Sequence, residues 1–102
     1  MGNAGATYNL GNMYKQGRGV AQSYIEACKL YEKASSMGQV EATFNLGSMY
    51  ADGQGVAQSD IEACKLYEKA SSMGNAGATY NLGKMYKQGR GVAESYIEAC
   101  KH

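Results

Sequence analysis

Three cysteines are the side chains best suited to nucleophilic or soft-metal chemistry in this sequence, and they recur every 36 residues as Cys28, Cys64 and Cys100. No C-x-x-C pair and no repeated histidine accompanies them as a metal ligand or as a base. Cysteines on successive stacked helices, about 8 to 10 Å apart, also lie beyond the roughly 7 Å Cα separation that a disulfide spans. The pattern predicts small, buried, reduced thiols, no metal and no cofactor, and a protein of the cytoplasm (a reducing compartment) or a recombinant product. A thiol-dependent enzyme is the alternative.

The glycine pair at 17–19 and the charge balance argue against two further kinds of site. G-x-G at 17–19 lacks the third glycine of a dinucleotide fingerprint and follows a helical pattern, so it predicts a turn and no phosphate loop. Ten Lys and Arg against nine Asp and Glu give a net charge of +1, too small to hold nucleic acid or an anionic membrane. No apolar run approaches the roughly 18 residues of a membrane span, and no signal-peptide segment is expected.

The whole sequence consists of one 36-residue unit repeated almost three times. Residues 1–36 and 37–72 differ at nine positions, and residues 1–30 and 73–102 differ at three. We therefore expect a single repeat domain over 1–102, with repeats at 1–36, 37–72 and 73–102, the last of them truncated.

The first helix of each unit, helix A, is predicted over 4–16 by apolar residues at helical spacing. Asn3 and Asn75 stand where an N-cap is needed, whereas Gln39 is expected to be a poorer cap. The apolar stripe of the first copy consists of Ala6, Leu10, Met13 and Tyr14.

The second helix, helix B, is predicted to begin at the capping-box sequence S-Y-I-E of 23–26 and to end before Gly38. Because two such short helices cannot bury their apolar sides alone, the hairpins must stack on one another. The mid-helix glycine Gly11, which recurs in each copy, is expected to permit close approach of helix B. The apolar side of helix B is predicted to carry Ile25, Cys28, Tyr31 and Ala34. The fold class is therefore all-α, an α/α solenoid of stacked antiparallel helix hairpins.

These units resemble the Sel-one-like repeat (SLR) family, relatives of the tetratricopeptide repeats. The resemblance rests on A-T-Y-N-L-G-x-M-Y, then G-x-G-V, then E-A-C-K-L-Y-E-K-A, and it covers the entire chain. It implies a tetratricopeptide-like superhelix with a concave groove lined by helix A, and a non-catalytic scaffold for protein or peptide interaction. One branch of the family joins its helices through two cysteines per unit. The matching positions here are Thr7 and Ser35, and a disulfide between the two helices is therefore not expected.

The predicted peptide-binding residues lie on the side of helix A that faces away from the core. A ladder of asparagines can both donate to and accept from an extended peptide backbone, whatever the side chains of that peptide. The alternative is that each asparagine bonds within its own hairpin. The predicted concave-face residues are Tyr8, Asn9, Asn12, Phe44, Asn45, Ser48, Tyr80, Asn81 and Lys84.

The near-identity of the units favours an engineered array with no evolved ligand; the alternative is a fragment of a natural bacterial adaptor that binds an extended peptide. Polar capping repeats are not visible at either end of the sequence. We therefore expect the apolar ends to allow self-association. The competing functional classes are a peptide-binding module, a purely structural scaffold and a thiol enzyme.

Overall fold

The computed structural model describes residues 3–91, which form five α-helices of 13 residues each. Helices A and B alternate along the chain, as predicted, and the described part contains no strand. The predicted helix B of the third unit, with Cys100, lies outside the described residues. The helices are α1 (Ala4–Gln16), α2 (Tyr24–Ser36), α3 (Val40–Asp52), α4 (Asp60–Ser72) and α5 (Ala76–Gln88).

Local chemistry sets the ends of these helices. The Asn3 side chain accepts a hydrogen bond from the Ala6 amide at 2.9 Å, and Gly17 ends α1 in the left-handed region with φ 69°, where an L side chain would be strained. The expected weak cap, Gln39, makes the same bond as the asparagines, because its longer side chain reaches the Ala42 amide at 2.9 Å.

The predicted capping box forms only in part. Ser23 accepts a hydrogen bond from the Glu26 amide at 3.2 Å, as expected. The Ser23 amide, however, donates to the Tyr14 carbonyl at 2.9 Å, while the Glu26 carboxylate lies 3.6 Å from the Lys29 ammonium. In a complete capping box, the Glu26 side chain would accept a hydrogen bond from the Ser23 amide. Here the Ser23 amide instead holds the start of α2 against the end of α1.

Two buried clusters form the core, one at each junction between successive hairpins. The first joins α2 to α3, and the second joins α4 to α5. The same stripe position is 40% exposed at Leu10 but 4% exposed at Leu46, because α3 is covered by the preceding α2 whereas no described helix covers this side of α1. The prediction for Ile25 was wrong: it is 58% exposed, and Ala27 takes its place in the core.

Buried hydroxyl pairs connect each hairpin to the next. The Ser35 hydroxyl lies 2.5 Å from that of Thr43, and both residues are buried. Thr43 donates its own proton to the Gln39 carbonyl at 3.2 Å, so Ser35 is the donor in the pair. Ser71 and Thr79 repeat the arrangement at the second junction, where it is exposed.

Ser35→Ala is expected to lower the free energy of unfolding by about 1 kcal/mol, because it removes a buried hydrogen bond at the first junction. The equivalent change Ser71→Ala is expected to cost about half as much or less, since water can replace the lost donor at the exposed pair. Urea unfolding of both variants measures the difference. Equal costs would show that burial of the hydroxyl pair does not govern its contribution.

Candidate functional site

The predicted binding side chains lie on α1, α3 and α5, which are neighbours along one face of the stack. The Asn45 amide on α3 approaches the Tyr8 hydroxyl on α1 at 3.4 Å. The Phe44 ring on α3 lies beside Gly77 on α5, where a Cβ would be 3.5 Å from the ring. We call the surface formed by α1, α3 and α5 the helix A face.

The aromatic residues of the predicted set have two different environments. Tyr8 and Phe44 are half-buried, and each packs on the tyrosine of its own helix B, with ring centroids 5.8 Å apart for Tyr8 and Tyr31 and for Phe44 and Tyr67. Tyr80 is 68% exposed. Tyr8 and Phe44 therefore contribute mainly to packing, whereas Tyr80 offers a ring to solvent.

The polar residues four positions after these aromatics also differ. Asn12 accepts a hydrogen bond from the Tyr31 hydroxyl at 2.5 Å, and the Ser48 and Tyr67 hydroxyls are 3.0 Å apart. Each bond joins the two helices of a single hairpin, the first hairpin for Asn12 and the second for Ser48. Lys84 places its ammonium 5.6 Å from the centre of the Tyr80 ring, a cation–π distance on the surface.

The three asparagines do not form a uniform ladder. Asn45 interacts with the preceding hairpin, since its amide lies 3.4 Å from the Tyr8 hydroxyl. Burial raises the pKa of Tyr31, and the side chain of Asn45 opposes that shift. Asn9 is exposed, and Asn81 is half-buried. The bond of Asn45 joins two neighbouring hairpins. Neither prediction for the asparagines, peptide binding or bonding within one hairpin, included such a contact.

A recess of about 200 Å³ lies between α3 and α5 and brings three predicted residues together: Ser48, Asn81 and Lys84. Two charged side chains that were not predicted, Asp52 and Arg90, also line the recess. The other predicted residues do not line this recess. Its remaining lining residues are Ala51, Asp52, Tyr67, Met85, Gln88 and Arg90.

An ion pair beside the recess was missed from the sequence. The Arg90 guanidinium lies 2.8 Å from the Asp60 carboxylate, and this hydrogen bond holds the pKa of Asp60 below its usual value. The available signal was a departure from the repeat: Asp60 stands where the first unit has Tyr24, and Arg90 stands where the middle unit has Gln54. Only the second described junction therefore carries a charge pair at this position.

The two described thiols are buried at the junctions and carry no disulfide. Cys28 donates to the Gln54 carbonyl at 3.2 Å and lies 3.5 Å from the Met49 sulfur. Cys64 makes the same contacts with the Arg90 carbonyl and with Met85. Burial is the main cause of the raised pKa of both thiols, so the nucleophilic thiolate is disfavoured.

We expect Cys28 and Cys64 to react with a thiol reagent at pH 7.5 about tenfold or more slowly in the native protein than in urea, because they are buried and protonated. The measurement uses a Cys100→Ser background, which leaves these two thiols. Ser36→Cys in the same background provides an exposed control that should react at once. Native rates equal to that control would contradict the burial of the thiols.

Residues 3–91 hold no cluster of three or more His, Cys, Asp or Glu side chains arranged to bind a metal ion. Nor does any helix there combine the length and apolar character needed to cross a bilayer.

Comparison with known proteins gives one family and several similar structures. The Sel1 repeat family model matches residues 4–39, 40–75 and 76–102. No curated protein matches the chain. Three similar structures belong to bacterial proteins.

The first is a Sel1 repeat protein from Oxalobacter formigenes, 34% identical with a TM-score of 0.89 over 97% of this chain and 41% of that one. The second is c5321, a protective antigen of uropathogenic Escherichia coli strains displaying an SLR fold, 37% identical with a TM-score of 0.86 over 88% of this chain and 19% of that one. The third is Helicobacter pylori cysteine rich protein B (hcpB), 28% identical with a TM-score of 0.75 over 78% of this chain and 59% of that one. The chain thus spans less than two thirds of the length of each.

Proposed function

The chain belongs to the Sel1 repeat family, and from that premise we propose that its helix A face binds an extended peptide segment of a partner protein. Sel1 repeat proteins are in general non-enzymatic helical scaffolds for protein interaction. The recess between α3 and α5 is the observation that carries the proposal for this chain.

The chemistry of the recess suits a peptide backbone. The carboxamides of Asn81 and Gln88 each supply a donor and an acceptor, and both side chains line the recess. An extended chain presents the complementary carbonyl and amide groups at regular intervals, so such contacts do not depend on the sequence of the peptide.

The charges around the recess would add selectivity. Asp52 and Lys84 are both exposed and line the same recess, so a segment with a basic and an acidic side chain would be preferred over an apolar one. The exposed Tyr80 ring beside Lys84 offers an apolar surface next to these polar groups.

The near-identity of the repeats supports a second candidate, an engineered array without an evolved ligand. The two candidates differ in one respect that can be measured. A binding module should yield peptides that bind at one surface, whereas a scaffold without a ligand should yield none that depend on the recess.

Selection from a library of random linear peptides displayed on phage tests the proposal. The affinity of the selected peptides is measured by fluorescence anisotropy for the chain and for an Asn81→Ala/Gln88→Ala variant. We expect about tenfold weaker binding by that variant, which loses two hydrogen-bonding side chains.

Matched variants locate the effect. Lys29→Ala/Lys65→Ala changes two exposed side chains on the helix B surface and should leave the affinity unchanged. Asn9→Ala, an equivalent asparagine away from the recess, shows whether the bound segment reaches α1. The proposal would be overturned if only the helix B substitutions lowered the affinity of the selected peptides. It would also be overturned if no peptide could be selected.

A further inference from the structure

The charges of the helix A face alternate in sign from one helix to the next. α1 carries one lysine, Lys15, and no acidic residue. α3 carries two acidic residues, Glu41 and Asp52, whereas α5 carries two lysines, Lys84 and Lys87. Because α3 lies between α1 and α5, the face presents a basic, an acidic and a basic helix in spatial order.

These charges have no opposite charge on their own helix, in contrast to those of the helix B surface. Glu26 and Lys29 on α2 pair at 3.6 Å, and Glu62 and Lys65 on α4 pair at 3.7 Å. None of the ion pairs formed within residues 3–91 includes a side chain of α1, α3 or α5. A ligand can therefore contact the charges of the helix A face without breaking an ion pair of the protein.

The sequence differences between the repeats create this alternation. Helix B is identical in the first two units over 25–36 and 61–72. In α5, the only change from α1 is Lys84 in place of Asn12, which adds a positive charge. In α3, every change of charge from α1 is in the acidic direction: Glu41 for Gly5, Ala51 for Lys15 and Asp52 for Gln16. Variation between the units thus gives each helix of this face its own sign.

Asp52 lies between a lysine of the preceding helix A and a lysine of the next. Asp52 and Lys84 line the same recess between α3 and α5, and Ala51 and Gln88 line it as well. The equivalents of Ala51 and Gln88 one repeat earlier are Lys15 and Asp52. Lys15 and Asp52 therefore face each other at the first junction as Ala51 and Gln88 do at the second.

Lys84 is the cation that the recess offers to a ligand. Arg90 also lines the recess, but its guanidinium is bound to the Asp60 carboxylate at 2.8 Å. The Lys84 ammonium lies 5.6 Å from the centre of the Tyr80 ring and remains exposed. A surface contact of this kind leaves the positive charge able to pair with an acidic group.

The distance between neighbouring helices sets the spacing of a matching ligand. The axes of packed helices are about 8 to 10 Å apart. A polyproline II segment advances about 3.1 Å per residue with three residues per turn, so every third side chain lies on the same side, about 9 Å further along. Its backbone makes no internal hydrogen bonds, which leaves its amides and carbonyls free for Asn81 and Gln88 in the recess.

We propose that the helix A face binds an extended segment in the polyproline II conformation that carries an acidic, a basic and an acidic side chain at three-residue spacing. The outer acidic side chains contact Lys15 and Lys84, and the central basic side chain contacts Asp52. This inference rests on the peptide binding proposed above and adds the chemistry and spacing of the partner segment. A segment with charges of one sign would be repelled by at least one of the three helices.

The test compares two peptides of the same composition, E-S-T-K-T-S-E and E-S-T-E-T-S-K, by titration into the ¹⁵N-labelled chain in about 50 mM salt. The first peptide has the matching order of charges. It should bind about fivefold more tightly, because the second peptide in either direction meets repulsion at two of the three helices. The ratio of the two affinities should approach one in about 0.5 M salt, since exposed charges are then screened.

Reversal of one charge in the chain locates the contact. Lys84→Glu should lower the affinity for E-S-T-K-T-S-E about fivefold, and E-S-T-K-T-S-K should bind this variant as tightly as the first peptide binds the unchanged chain. Lys65→Glu makes the same change in net charge on the helix B surface, where Lys65 is exposed. It should leave the affinity for E-S-T-K-T-S-E unchanged within about twofold.

The outcomes separate this inference from the proposed function. Equal affinities of the two peptides, with amide shifts at the recess, would overturn the inference and leave peptide binding intact. The same conclusion would follow if Lys65→Glu weakened binding as much as Lys84→Glu, or if only library-selected peptides without this charge pattern bound. If neither these peptides nor any library-selected peptide bound, both the inference and the proposed function would be wrong.

Discussion

Tyr31→Ala is expected to lower the free energy of unfolding by about 3 to 5 kcal/mol, the usual cost of deleting a buried aromatic ring. Tyr31 is fully buried in the first core cluster. Its ring packs on Tyr8, and its hydroxyl bonds to Asn12. Because a domain of this size has a total stability of about 5 to 15 kcal/mol, this loss is a large share of the total.

Two control variants distinguish the contribution of the ring from that of the hydroxyl bond and from that of an exposed tyrosine. The free energy of unfolding is measured in urea, with far-UV circular dichroism as the signal. Tyr31→Phe keeps the ring and removes the hydroxyl bond, so it should cost about 1 kcal/mol. Tyr80→Ala removes a tyrosine that is largely exposed, so its cost should be about 0.5 kcal/mol or less. A Tyr80→Ala variant as unstable as Tyr31→Ala would contradict the assignment of the core.

Gly11→Ala and Gly83→Ala are expected to change stability in opposite directions. A Cβ on Gly11 would lie 2.8 Å from the Tyr31 ring, so either the ring or the backbone must move. Overpacking of this kind costs about 1 to 3 kcal/mol, which outweighs the roughly 1 kcal/mol that alanine gains over glycine within a helix. Gly11→Ala should therefore be destabilising by up to about 2 kcal/mol.

Gly83 occupies the equivalent helix position, but in the part of the chain that the structure describes nothing lies within 4 Å of its Cβ site. Gly83→Ala should gain most of the roughly 1 kcal/mol of helix propensity. Thermal unfolding of the two variants shows the sign directly. Stabilisation by Gly11→Ala would mean that Tyr31 does not occupy the space beside the glycine.

Helix positions could be predicted closely because local chemistry determines them. The start of α1 depends on the Asn3 cap and its end on Gly17, both of which are visible in the sequence. The role of Gly11 was predicted only in part. Close approach of helix B is confirmed, but the Tyr31 ring, and not the backbone, fills the space.

Features that depend on a neighbouring repeat could not be predicted from one unit. Leu10 and Leu46 have the same pattern around them, yet their burial differs because only the second is covered by a preceding helix. Asn45 bonds across the junction to Tyr8, a partner 37 residues away in sequence. The Asp60–Arg90 pair likewise became recognisable only when the stack placed the two positions together.

Mapping a selected peptide by amide chemical shifts tests the central claim, that the helix A face is the binding surface. The largest shifts should occur in α3 and α5 around Asn81 and Gln88, which line the recess, and they should disappear in the Asn81→Ala/Gln88→Ala variant. Shifts confined to α2 and α4 would contradict the claim.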